Sequence, residues 1–129
     1  MRSISSSKIK EGEQMKTILL IGVPIDVRQQ VEAKVVGEYE IAVSETCKDG
    51  ARQIRSRHPD IILIDARLSD GLFGSNAHCL IEETKKKSQT TVIAISPFIY
   101  ERSCFESLGC LFCHPTRTGE TLQEALSLR

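Results

Sequence analysis

The amino-acid sequence predicts an α/β protein built on one doubly wound, five-stranded parallel sheet with helices on both faces. Two observations carry this. Five short apolar runs recur along the chain: TILLIG (17–22), YEIAV (39–43), IILI (61–64), TVIAI (91–95) and CLFC (110–113). IILI is the clearest, a continuous branched run of the kind found in strands covered on both faces. Between the runs lie segments with three- and four-residue apolar spacing, so strand and helix patterns alternate along the chain. There is no internal repeat, and 129 residues with 40% hydrophobic and 26% charged content suit a single domain.

The elements follow in order. Asp26 reads as an N-cap with Gln29 as its capping-box partner, and Val27, Val31 and Val35 predict a helix over 27–36 closed by Gly37. After the second strand, a helix over about 46–57 buries Cys47, Ala51 and Ile54, and Pro59 marks its stop. A helix over 76–87 turns Ala77, Leu80, Ile81 and Thr84 inward and ends in Lys85-Lys86-Lys87, where cations suit the helix dipole. YERSCFESL (100–108) predicts a helix using Tyr100, Cys104, Phe105 and Leu108, and the last helix, about 118–128, uses Leu122, Ala125 and Leu126. Residues 1–15 are polar and Ser-rich and read as a disordered tail, with Met15 a candidate native start, which leaves 16–129 as the domain.

Composition excludes several classes. Lys+Arg and Asp+Glu both number 17, and no basic stripe interleaved with aromatics stands out, so no nucleic-acid partner is expected. No apolar stretch approaches a membrane span and no signal peptide is visible, so the expected location is cytoplasmic, with no membrane partner and the five cysteines reduced. CLFCH (110–114) matches the C-x-x-C-H pattern and half a zinc site. In an extended strand, however, Cys110 and Cys113 point to opposite faces, and covalent haem attachment normally needs export. The remaining cysteines, Cys47, Cys79 and Cys104, fall on apolar helix faces and read as small hydrophobes. His58 and His78 read as helix-terminal surface residues.

In doubly wound sheets the working crevice lies outside the carboxyl ends of the strands. The strand assignments put Gly22, Asp65, Ser96 and His114 on that edge. Asp65 ends a buried strand, which is either a functional placement or a carboxylate that satisfies loop N–H groups.

IILIDARLSDG (61–71) resembles the phospho-acceptor strand and loop of response-regulator receiver domains, with Asp65 at the acceptor position, Leu68 and Gly71 retained and Ser69 in a proline position. VIAIS resembles the fourth receiver strand, whose terminal hydroxyl residue contacts the phosphoryl group; here that is Ser96. HPT resembles the Lys-Pro-aromatic signature after strand five, with Pro115 retained and His114 in the lysine position. The resemblance spans about residues 16–129. It implies the flavodoxin-like strand order 2-1-3-4-5, and a partner face near Phe98, Tyr100, Phe112 and Thr116.

The departures bear on chemistry. Receivers end strand one in two adjacent acids that bind Mg²⁺; Gly22 and Val23 stand there instead. Phosphoryl transfer to a carboxylate joins two anions and relies on a metal and a fixed cation. Asp65 alone is a poor Mg²⁺ site, and a neutral imidazole does not replace a lysine. The expectation is a stand-alone receiver-like domain with a degraded pocket, a binding protein rather than an enzyme, with no cofactor and with Mg²⁺ weak or absent. Its expected partner is a histidine kinase or another two-component protein, with a homodimer as an open alternative. Two rivals remain: a phospho-accepting regulator that uses Asp65 in a phosphorelay, and a thiol-redox or metal protein built on Cys110, Cys113 and His114. A His114 ring beside Asp65 would form an ion pair, and restoring Asp at 22 and 23 with Lys at 114 is expected to rebuild a metal-binding pocket.

Overall fold

The computed structural model describes residues 16–35, 37 and 39–127; the predicted tail, 1–15, lies outside them. Five parallel strands, β1 (Lys16–Ile21), β2 (Tyr39–Ser44), β3 (Ile61–Asp65), β4 (Thr91–Ile95) and β5 (Leu111–Cys113), form one sheet in the order β2-β1-β3-β4-β5. The helices are α1 (Ile25–Lys34), α2 (Cys47–Arg57), α3 (Ala77–Lys87), α4 (Arg102–Glu106) and α5 (Thr118–Ser127). Among the described residues, no helix is long and apolar enough to cross a membrane.

Both faces of the sheet are buried, which is why the central strands carry unbroken apolar runs, 18–21, 61–64 and 92–95. One face carries Leu19, Ile21, Ile62, Ile64, Val92, Ala94 and Phe112 against α2, α3 and α4, through residues such as Cys47, Leu80, Ile81 and Phe105. The other carries Ile18, Leu20, Ile61, Leu63, Ile93, Ile95 and Cys113 against Val27 and Val31 of α1 and Leu122 and Ala125 of α5. Gln30 joins the two helices on that face. Its side-chain amide donates to the Pro115 carbonyl at 2.7 Å, and its side-chain oxygen accepts the Gly119 N–H, an otherwise orphaned first-turn donor of α5, at 3.0 Å. On the opposite face α2 lies close against β1 at Gly50, where a Cβ would meet Ile21 Cδ1 at 2.9 Å.

Several expectations change. α1 begins at Ile25 with Pro24 at the N-cap, so Asp26 sits inside the first turn and makes no capping bond. Asp26 there complements the helix dipole instead. The helix ends at Lys34, ahead of the predicted Gly37. α2 keeps its predicted range, with Thr46 as N-cap, but its buried residues are Cys47, Gly50 and Gln53, while Ala51 and Ile54 are only partly covered. α3 buries the four predicted residues, whereas Cys79 falls off that face and is exposed. The segment predicted as one helix over 100–108 is a 3-10 turn at Ile99–Glu101 followed by the short α4. The tighter turn rotates Tyr100 and Cys104 out to solvent and leaves Phe105 as the buried anchor. α5 runs to Ser127; residue 128 lies outside the described residues. His78 is half-buried, not a surface residue, with its ring edge-on to Phe105 at 5.9 Å.

Candidate functional site

The strand register brings the predicted residues to one edge. Ile21 pairs with Ile64, Asp65 with Ile95 and Ile95 with Cys113, so Gly22, Asp65, Ser96 and His114 all lie at the carboxyl ends. Their side chains do different things there.

Asp65 is half-buried, and its Oδ1 accepts the Arg67 N–H at 2.9 Å. Gly22 has φ +68°, and a Cβ built on it would meet Leu68 Cδ2 at 2.8 Å and Cδ1 at 2.9 Å. The side chain of Leu68 therefore fills the space that a residue at 22 would need. Val23 is partly buried against the α1 and α5 face. The edge thus offers Asp65 as a carboxylate and, at 22 and 23, only backbone oxygens. Among the described residues, no three His, Cys, Asp or Glu side chains converge on a metal-sized space. An acid restored at 22 would have to displace the Leu68 methyls and adopt a backbone at φ +68°.

His114 turns to its own chain. Its Nδ1 accepts the Thr116 N–H at 3.1 Å and lies 2.9 Å from the Thr116 hydroxyl, capping the turn Pro115–Arg117. Among the described residues, no hydrogen bond or ion pair joins it to Asp65. The cation at this edge is Arg67, which periodicity did not single out. Its Nη1 donates to the Tyr100 hydroxyl at 3.3 Å and lies 3.6 Å from Glu101 Oε2, and its guanidinium stacks 4.5 Å from the Phe98 ring centroid. The Tyr100 hydroxyl and then the Glu101 and Asp65 carboxylates hold this guanidinium above its ordinary range.

Ser96 is buried, and its hydroxyl donates to Glu101 Oε1 while accepting the Phe98 N–H at 3.0 Å. Glu101 was not a predicted site residue either. The only cue in the sequence is that a carboxylate and a guanidinium stand close to Ser96 and Asp65 respectively, with nothing in their spacing to say that they meet.

The predicted partner face is partly present. Phe98 and Tyr100 are exposed, with ring centroids 5.6 Å apart, and Thr116 is exposed. Phe112 is not available, being 7% exposed and packed against Phe105 under the Arg102 guanidinium. The residue beside it, Leu111, is the exposed one, because neighbouring positions on a strand face opposite ways.

The thiol constellation does not assemble. Cys110 packs on one face of the sheet and Cys113 on the other, and Cys79 and Cys104 are exposed, contrary to their expected burial. Burial, with the Asp70 carboxylate adding to it, pushes the Cys47 thiol up from about 9 to about 11; burial does the same to Cys110 and raises Cys113. These groups are protonated, unreactive thiols at neutral pH. A folded-state value above the unfolded one means the native chain holds the proton more tightly. The stability this contributes is complete below about pH 9 and is lost as pH rises through about 11. Urea unfolding under reducing conditions from pH 8 upward is expected to show a falling midpoint, with a shallower fall in Cys110→Ala. A midpoint that stays flat through that range would contradict the burial of these thiols.

No family model matches the sequence, and no curated protein matches it. Solved structures do match. The chemotaxis response regulator CheY4 of Vibrio cholerae has a TM-score of 0.68 at 15% identity, over 86% of this chain and 98% of that one. A two-component response regulator from Clostridium difficile reaches a TM-score of 0.72 at 16% identity, over 88% and 93%. The N-terminal domain of an uncharacterized protein (WS1339) from Wolinella succinogenes reaches 0.67 at 21% identity, over 89% and 96%. The chain therefore has the CheY-like fold of response-regulator receiver domains, with the strand order that the resemblance implied.

Proposed function

We propose that this chain is a receiver-like signalling domain that works by binding a two-component partner, without phosphoryl transfer to Asp65 and without a resident metal. The observation that carries this is the filling of the Gly22 position by Leu68. Mg²⁺ needs near-octahedral oxygen coordination and is usually anchored by one or two carboxylates together with phosphate oxygens. A single half-buried Asp65, with one oxygen already on the Arg67 N–H, beside a glycine and a valine, does not fit it. The His114 ring is engaged by Thr116, and among the described residues no hydrogen bond or ion pair joins it to Asp65. The receiver fold supports a histidine kinase or another two-component protein as partner, and the exposed aromatic pair Phe98 and Tyr100 with Ile99 supports the same face for contact. The same geometry supports a binding role rather than an enzymatic one.

Incubation with acetyl phosphate and Mg²⁺, followed by intact mass measurement, tests the reading. The expected result is an unmodified chain. A phospho-adduct on the parent that disappears in Asp65→Asn would refute it.

A further inference from the structure

Ser96 is 2% exposed, and a hydroxyl has one proton to give. That proton goes to Glu101 Oε1, while the Ser96 oxygen accepts the Phe98 N–H at 3.0 Å. The other oxygen of Glu101 faces Arg67 at 3.6 Å, and the Glu101 side chain is only 19% exposed. Arg67 reaches this point from the loop that follows Asp65, and its own N–H is held by Asp65 at 2.9 Å. A carboxylate thus stands between a buried hydroxyl donor and a guanidinium, at the edge where β3 and β4 end.

We infer that Glu101 is an internal anion occupying the oxyanion seat formed by Ser96 and Arg67, and that it holds residues 96–106 in one arrangement in place of an external anion. This deepens the phosphate-independent reading of the same site and rests on it. Two features make the occupancy exclusive. An incoming oxyanion has no second proton to take from Ser96. It would also have to share Arg67 with a carboxylate, and two anions in one seat repel. The contact is a latch as well, since Glu101 sits in the turn leading into α4, so releasing it removes the tie of that turn to Ser96 and leaves the exposed Phe98 and Tyr100 held to the β3 loop by Arg67 alone. The seat takes an oxyanion of the phosphate or sulfate class only when the carboxylate leaves.

The test compares the parent with Glu101→Ala, Glu101→Gln and the double variant Arg67→Ala/Glu101→Ala, by amide hydrogen exchange and by NMR titration with inorganic phosphate. The parent is expected to show no saturable shifts. Glu101→Ala is expected to exchange about tenfold faster across 98–106, and to give saturable phosphate shifts centred on Ser96 and Phe98 that vanish in the double variant. Glu101→Gln keeps the acceptor for Ser96 but not the charge on Arg67, so its exchange falls between parent and Glu101→Ala; it also serves should the alanine variant not fold. Equal phosphate response in parent and Glu101→Ala, or unchanged exchange in both single variants, would overturn the inference. The acetyl phosphate measurement reports on the underlying reading separately, because a phosphorylated parent with unchanged exchange in Glu101→Ala fails both, whereas a phosphorylated parent with loosened exchange in Glu101→Ala fails only the first.

Discussion

Gly22→Asp is expected to destabilise the fold by about 3 kcal/mol and to create no Mg²⁺ site. The new Cβ would lie 2.8 Å from Leu68 Cδ2, 2.9 Å from Cδ1 and 3.2 Å from Cγ, so both leucine methyls have to shift. The backbone at φ +68° adds left-handed strain, smaller for Asp than for most residues because a short polar side chain tolerates that region. Gly22 also donates its N–H to the Ser44 carbonyl at 2.8 Å, which ties the position to β2 and limits relaxation. Urea unfolding gives the loss directly, and repetition with millimolar Mg²⁺ is expected to change nothing. Adding Leu68→Ala removes the obstructing atoms, and the pair is expected to couple favourably by about 1 kcal/mol. A Gly22→Asp chain that unfolds with the parent, or that Mg²⁺ stabilises, would show that Leu68 yields readily and would remove the steric basis for a metal-free pocket.

The strands were legible because burial on both faces leaves a mark in every consecutive position: Ile61 to Ile64 and Val92 to Ile95 have no polar residue to confuse the period. From strand ends alone the edge residues Gly22, Asp65, Ser96 and His114 followed, since parallel strands with crossover connections all end on one side. The region from 97 to 108 was not legible. A 3-10 turn has a three-residue period, and α4 has only five residues, too few to establish a helical face, so the apparent spacing of Tyr100 and Cys104 misled. Phe112 was misjudged for a related reason: on a three-residue strand, which neighbour faces α4 depends on register, and register lies in the partner strand. The chemistry of the edge was hidden for a different reason again. Arg67 and Tyr100 are 33 positions apart, and a contact across that separation leaves no periodic trace.

Asp70→Ala is expected to lower stability by about 2–3 kcal/mol. Its two carboxylate oxygens accept the Cys47 N–H at 2.7 Å and the Lys48 N–H at 2.8 Å. Thr46 supplies the rest of the first turn of α2: its hydroxyl accepts the Asp49 N–H at 3.0 Å and its carbonyl accepts the Gly50 N–H at 2.9 Å. The three donors of the first turn, Cys47, Lys48 and Asp49, are thereby satisfied by side chains, two of them by a residue from the loop after β3. A carboxylate at that end also complements the helix dipole, so charge and hydrogen bonding act together. The same residue fixes the loop, whose base is closed by the Asp70 N–H on the Ser75 carbonyl at 2.9 Å and whose tip projects Leu72 and Phe73, 90% and 98% exposed. Asp70→Asn keeps one acceptor oxygen and loses the charge, so about 1 kcal/mol is expected for it. Removing the carboxylate is also expected to lower the pKa of the Cys47 thiol, because Asp70 adds to the burial that raises it, and alkylation of Cys47 near pH 9 should quicken. Urea unfolding, amide exchange at Cys47 and Lys48 and the alkylation rate test this together. Stability within about 0.5 kcal/mol of the parent and unchanged exchange at those two amides would mean that water replaces the carboxylate at no loss, and that the loop is held to α2 by packing alone.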